Sequence, residues 1–282
     1  MEGFGRLIRF EAVRVLLDRR WVLAAMVWVT VAVLAAGDVT SHTWNAGIDS
    51  WSALDVHAAS QNSMLYVGFL LLAAFSIVCA DALVRDRDSG YARLVLSRAV
   101  TRRSWWLAHV GVIVAGAVVF NLGFLITCVA VGAVRGGGVG WEASPLATGM
   151  YGQGGDVLVE PLFTSVSPTA NMLGRELLLA LYLSLAFGAV GCLLAALTVR
   201  FPRTWLPAVL VLGTAITDWV VNWFVRGDWY LRISPTYRLM EAAHSPLIVR
   251  VAIPWWSSVA WWVSLGAIAV VWGLQEVTHA EI

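Results

Sequence analysis

The chain has 282 residues, of which 59 % are hydrophobic and 13 % charged, where an ordinary soluble domain carries about 25 % charged residues. Its formal net charge is +1, so no overall field points to nucleic acid as a partner. All 19 basic residues are arginine, and a chain without lysine cannot carry the GxxxxGK[ST] phosphate loop.

Residues 1–20 read as an amphipathic interfacial helix, with a plain juxtamembrane helix end as the alternative. Phe4, Leu7, Ile8, Ala12, Val15 and Leu16 recur at helical spacing, and Arg6, Arg9 and Arg14 lie mostly off that face. The first span covers about 21–37. The region before it is long and holds Glu2, Glu11 and Asp18, which favours an uncleaved span over a signal peptide. Residues 38–61 are polar and aromatic and read as a solvated outer loop. His42, Asp49, Asp55 and His57 lie there, at a spacing that is not diagnostic of a metal site.

The second span covers about 62–84, and the charged segment 85–104 follows it. The third apolar stretch, 105–134, measures about 45 Å as a helix and must tilt or project from a bilayer core of about 30 Å. A Gly-, Ser- and Pro-containing loop covers 135–170, with a short helix expected near 157–166. Further spans are expected at about 177–199, 204–225 and 254–274, with a mixed segment at 226–253. These runs are continuously apolar and about twice the length of a barrel strand, which excludes a porin-like barrel.

The expected fold is therefore an all-α polytopic membrane protein, one transmembrane domain over 1–282 with six transmembrane helices. Arginine bias sets its orientation. Segments 1–20, 81–104, 200–203 and 275–282 hold 13 arginines in 56 residues, against 6 in the 96 residues of 38–63, 135–176 and 226–253. Both termini are thus expected in the cytoplasm, in a cell inner or plasma membrane. Trp21, Trp105, Trp106, Trp205, Trp255, Trp256 and Trp272 fall near the expected span ends, as an interfacial belt requires. Cys79, Cys128 and Cys192 lie in apolar runs without metal or disulfide spacing and read as small buried hydrophobes.

The segment 85–104 carries the strongest local signal. Gly90 can turn the chain after the second span, and 91–99 can form a short helix. Tyr91, Leu94, Val95 and Ala99 supply a semi-apolar face, while Arg93 and Arg98 stay wet or pair with Asp86 and Asp88. Two readings follow: a helix that docks a cytosolic partner, or an amphipathic linker held at the lipid surface.

The order of these elements resembles the ABC-2 type transporter permease family over nearly the whole chain. The residues that carry the resemblance are Asp88-Ser89-Gly90-Tyr91 and Leu96-Ser97-Arg98-Ala99-Val100-Thr101-Arg102. They are similar to the family's acidic-x-Gly segment and its Ser-Arg-Pro-x-Ser/Thr-Arg-like segment. This chain has aspartate where glutamate is usual and Ala99 where proline is common. The resemblance implies a coupling helix opened by Asp88 and Gly90 and closed by Arg98 and Arg102, with Tyr91, Arg93 and Leu94 between them. It further implies short outer helices between the fifth and sixth spans. The partners it implies are a separate ABC nucleotide-binding subunit, which would hold ATP and Mg, and a second permease subunit in a homodimer or related heterodimer. No cofactor is expected on this chain itself, and export is the family's direction.

Polar residues inside the spans are the remaining candidates. Asn121, near the middle of the third span, suits helix pairing or a pathway. Asp218 in the fifth span shares a helical face with Asn222 and lies two turns from Arg226. His109 reads as an interfacial histidine, and Arg175 and Glu176 as anchoring charges at the start of the fourth span. Two other classes stay open: an ATP-independent secondary transporter, and a membrane enzyme or assembly factor.

Overall fold

A computed structural model describes residues 2–16, 18–48, 50–80, 101–147, 171–201, 206–224, 228–244 and 252–279. The described residues are helical, with two isolated backbone bridges. Helix α1 spans Glu2–Leu16 and packs on the third long helix, where its Val15 meets Val112. Glu11 is fully buried beside it and pairs with Arg14 at 2.7 Å.

Helix α2 spans Arg20–Ala46 and runs nine residues past the expected end of the first span. It stops in a Schellman turn. Gly47 adopts a left-handed φ of 64°, its N–H reaches Trp44 O, and Ile48 N–H reaches Thr43 O at 2.9 Å. Val22, Met26, Val29 and Val33 stay exposed at helical spacing, an apolar stripe suited to lipid.

The loop expected over 38–61 is mostly helical, and its second half is buried. Helix α3 spans Ala53–Gln61, and all nine residues are buried. Ser52 and Asp55 form a capping box, in which the Asp55 carboxylate accepts from Ser52 N–H at 2.7 Å. Glycines admit this helix to the bundle. A Cβ on Gly132 would lie 2.7 Å from Ala53 Cα, and one on Gly137 would lie 2.7 Å from the Trp51 ring. The backbone of Gly138 then bridges Trp51 and Ala53.

After a 79° bend, α4 continues over residues 64–80. Its turns are π-helical at Met64–Leu71, α-helical at Leu72–Phe75 and π-helical again at Ser76–Ala80. Helix α5 spans Arg102–Val134, about 50 Å at 1.5 Å per residue. Helix α6, Met172–Arg200, is the central element and packs on α5 and on α10, Trp255–His279. Between α6 and α10 come α7 (Leu206–Phe224), α8 (Asp228–Ile233), α9 (Pro235–Leu239) and a 3-10 turn, Glu241–His244.

Three rings from three helices form the centre. Phe75, Phe120 and Phe187 lie 5.5–5.9 Å apart, and Trp28 of α2 packs edge-on to Phe120 at 5.2 Å. Gly191 lets α6 approach, since a Cβ there would sit 2.7 Å from Ile113 and 3.0 Å from Phe75.

The protein is therefore an all-α polytopic membrane protein. Helices α2, α5, α6 and α10 are each long and apolar enough to cross a membrane, and the bent pair α3–α4 makes a fifth when counted as one span.

The contact of α5 with α10 yields a direct test. Trp106 is fully buried, donates to Val270 O at 3.0 Å, and lies where a Cβ on Gly273 would come within 2.1 Å of its ring. Gly273→Ala should destabilise the folded protein by about 1–3 kcal/mol through overpacking. Thermal unfolding in detergent should show this, and Trp106→Leu in the same chain should recover part of the loss.

Candidate functional site

Among the described residues, ion pairs and arginine contacts gather at two places. At the end where α10 finishes, Arg102 donates to Thr278 O at 3.1 Å, and Arg200 lies 3.8 Å from Glu276. Arg102 is the first residue of α5, after a Thr101 cap. Its guanidinium thus meets the free carbonyls and negative dipole end of α10. The other residues expected in the coupling segment, Asp88, Gly90, Tyr91, Arg93, Leu94 and Arg98, lie outside the described residues. So does the helix expected near 157–166.

The second concentration lies at the opposite end and is a buried seam. His57 Nδ1 on α3 lies 2.6 Å from Glu176 Oε2 on α6, and both side chains are fully buried. Arg175 donates to the other Glu176 oxygen at 2.6 Å and also to Glu241 on the 3-10 turn. Asp55, two residues before His57, is also fully buried and accepts from Ser144 at 2.7 Å. The seam therefore ties α3, α6, the segment after α5 and the turn before α10.

This overturns two readings of the sequence. Asp55 and His57 are not solvated loop residues, because the capping box starts a helix there and the glycines of α5 and its exit let it sink. Arg175 and Glu176 are not merely interfacial anchors, because α6 extends five residues before its expected start and carries Glu176 into the interior. His109 is also buried, with Nδ1 3.0 Å from Trp105 O. Among the described residues, no group of three His, Cys, Asp or Glu side chains suits a metal ion.

Asn121 and Asp218 enter separate hydrogen-bond sets. Asn121 is fully buried and donates to Ala117 O at 2.9 Å. Its Oδ1 has no partner among the described residues. Asp218 accepts from Tyr230 Oη, Ser234 Oγ at 2.6 Å and Thr236 N–H at 3.1 Å. It thereby pins α8 and α9 to α7. Arg226 lies outside the described residues, as does the side chain of Asn222.

A second aromatic set closes the same end. Tyr182 donates to Arg238 O at 2.5 Å and accepts from Trp262 Nε1 at 3.0 Å. His244 stacks on Trp255 at 3.8 Å. Burial pushes the His244 imidazole below the ordinary histidine range, while the carbonyls of Ile253 and Arg238 pull the other way. Burial likewise pushes the Tyr237 phenol up to about 12. An apolar cleft of about 220 Å³ runs between α6, α7 and α10, with Leu194, Leu210 and Trp262 on its walls.

No family model matches the chain, and no curated protein matches it. What the geometry supports is a multi-span helical membrane protein, consistent with a transport-related role.

Asp218 should be tested by Asp218→Ala, which leaves the buried Ser234 hydroxyl and Thr236 N–H, and the partly exposed Tyr230 hydroxyl, without their acceptor, at about 1–3 kcal/mol for each of the two buried groups. Hydrogen exchange should quicken across 228–239, while α5 and α6 keep their protection.

Proposed function

We propose that this chain is the membrane permease subunit of an ATP-driven exporter of the ABC-2 type, with ATP hydrolysed on a separate subunit. The observation that carries the reading is the order and placement of elements. A separate N-terminal helix packs against a long span. A basic segment joins the second and third long helices. Short helices fill the opposite end between α7 and α10. Counting the bent pair α3–α4 as one span and α7 as another gives six, and the arginine bias then puts both termini in the cytoplasm.

On this reading the segment 85–104 meets the partner ATPase. Closure of the ATPase sites pushes that segment, and the push enters the bundle at the start of α5. Arg102 supports such a route, because it binds the last carbonyls of α10 and so joins the ends of two spans. ATP and Mg belong to the partner, since a chain without lysine has no phosphate loop. A second permease subunit would complete the pathway, and surrounding lipid would cover the apolar stripe of α2.

A second reading is an ATP-independent secondary transporter. The buried His57–Glu176–Arg175 seam favours it, since ionisable groups held away from water mark ion-coupled sites.

Co-expression with an ATPase bearing Walker A and Walker B segments, followed by reconstitution in vesicles, separates the two. The expected result is a stable complex in which the permease raises ATPase activity and cargo moves only with ATP. Transport by this chain alone would refute the ATP-driven reading. Arg98→Ala and Gly90→Pro should leave insertion intact and lower permease-stimulated ATP hydrolysis at least several-fold. Full coupling in both variants would mean that the segment is not the docking element.

A further inference from the structure

Arg238 carries a buried charge that no carboxylate offsets among the described residues. It lies on the short helix α9 and is 7 % exposed. Its Nη1 donates to Ser258 Oγ at 3.0 Å and its Nη2 to the carbonyl of Arg232, and its Cζ lies 5.8 Å from the centroid of the Trp261 ring. These partners are all neutral. Its Nε–H is buried with no partner among the described residues. Asp218, the carboxylate that holds α9, is taken up by Tyr230, Ser234 and the Thr236 N–H instead. A buried cation is costly unless an anion meets it, and arginine does not escape that cost by losing its proton. The unmatched Nε–H belongs to a planar fork of donors that suits a phosphate.

The apolar cleft between α6, α7 and α10 adjoins this arginine. Pro235 and Leu239, one turn apart on α9, line it, and so does Trp261, whose ring meets Arg238. Thr236 lines it as well, with an Oγ1 that is buried and has no partner among the described residues. From there the cleft follows Val190, Leu194 and Leu197 along about 10 Å of α6. Its volume of about 220 Å³ is below the roughly 300–1,000 Å³ of sites that hold drug-sized ligands. It suits one linear hydrocarbon chain better than a compact molecule. A charged end and an apolar slot thus lie side by side.

We propose that Arg238 and this cleft form a binding site for an anionic glycerophospholipid. The phosphate of the head group meets the guanidinium, one acyl chain enters the cleft, and the Thr236 hydroxyl is available to an ester oxygen between them. The placement along the bundle agrees. Arg238 is held by Ser258 near the start of α10 and by Tyr182, which precedes the cleft residues of α6. The head therefore sits toward the end where α10 begins, and the chain runs toward the middle of the bundle, which is the posture of a lipid in the leaflet at that end. The arginine bias makes this the outer leaflet. Charge selects the head group, because a zwitterionic lipid brings its own cation to the same phosphate.

A second apolar cleft supplies the contrast. It measures about 460 Å³, lies between α3, α5 and α6, and has no charged residue among its walls. Hydrocarbon can fill it without any preference for one head group over another. The inference does not rest on the ATP-driven reading, since it requires only that this chain be set in a membrane.

The test uses the purified full chain in neutral detergent. It receives trace phosphatidylglycerol or phosphatidylcholine with a photoreactive diazirine in one acyl chain, and peptide mass spectrometry locates the labels after illumination. We expect phosphatidylglycerol to label residues 190–197 and 261–265 about tenfold more than phosphatidylcholine does, and the two lipids to label 122–130 equally. Arg238→Gln should bring the first ratio down to about one. Arg238→Lys keeps the charge but loses the fork, and should leave the ratio between the two. Leu194→Trp, which fills the cleft, should lower labelling there by phosphatidylglycerol, and excess inorganic phosphate should leave that labelling nearly unchanged. If Arg238→Gln does not fold, the wild-type ratio and Leu194→Trp still decide. Equal labelling of the cleft by both lipids, labels confined to other places, or a ratio kept in folded Arg238→Gln protein would overturn the proposal. So would displacement by inorganic phosphate, which would make this a site for a free anion.

Discussion

A 2.6 Å contact between an imidazole and a carboxylate holds a polar helix inside an apolar bundle. Among the described residues, Arg175 continues from it to Glu241. Helix α3 is too short to cross a membrane, and its residues include aspartate, histidine, serine and glutamine. Such a segment persists at depth only where protein surrounds it and its polar groups have partners. The capping box closes its first turn, the glycines of α5 and its exit let it approach, and Glu176 meets the histidine that faces inward. Arg175 then extends the charge pairing to the turn before α10, so that α3, α6 and the short helices form one connected unit.

The far end is built by a different rule. There the helices finish, and arginines meet exposed carbonyls or an acid: Arg20 on Ile77 O, Arg102 on Thr278 O, Arg200 near Glu276. These contacts are more exposed and each is modest in energy. One end is therefore fixed by buried, mutually dependent bonds, and the other by contacts that can be exchanged.

Much of the architecture was legible in the sequence. Long apolar runs marked α2, α5, α6 and α10, because uncharged stretches of about 17–25 residues or more have few other uses. The short elements before α10 were legible as mixed polarity, and the family resemblance implied short helices there without giving their bounds. The buried seam was not legible, because polarity was taken as a sign of water. Asp55 and His57 look like loop residues when only hydropathy is read. The sign that separates the cases is local: Ser52 and Asp55 stand three apart, as a capping box requires, ahead of a run of small residues. The pairing of His57 with Glu176 spans 119 residues of chain and follows from packing alone. Asp218 is similar: its three donors arrive from helices that the sequence did not delimit.

Helix α4 has a consequence for how the bundle can move. Its two π-helical stretches hold more residues per turn than an α-helix does. If either stretch rewinds into α-helical turns, each of its backbone hydrogen bonds is exchanged for one a residue nearer in the chain, the helix lengthens and the part beyond it rotates. Such a rewinding would turn the side chains of α4 relative to α7 and α9, which pack against it.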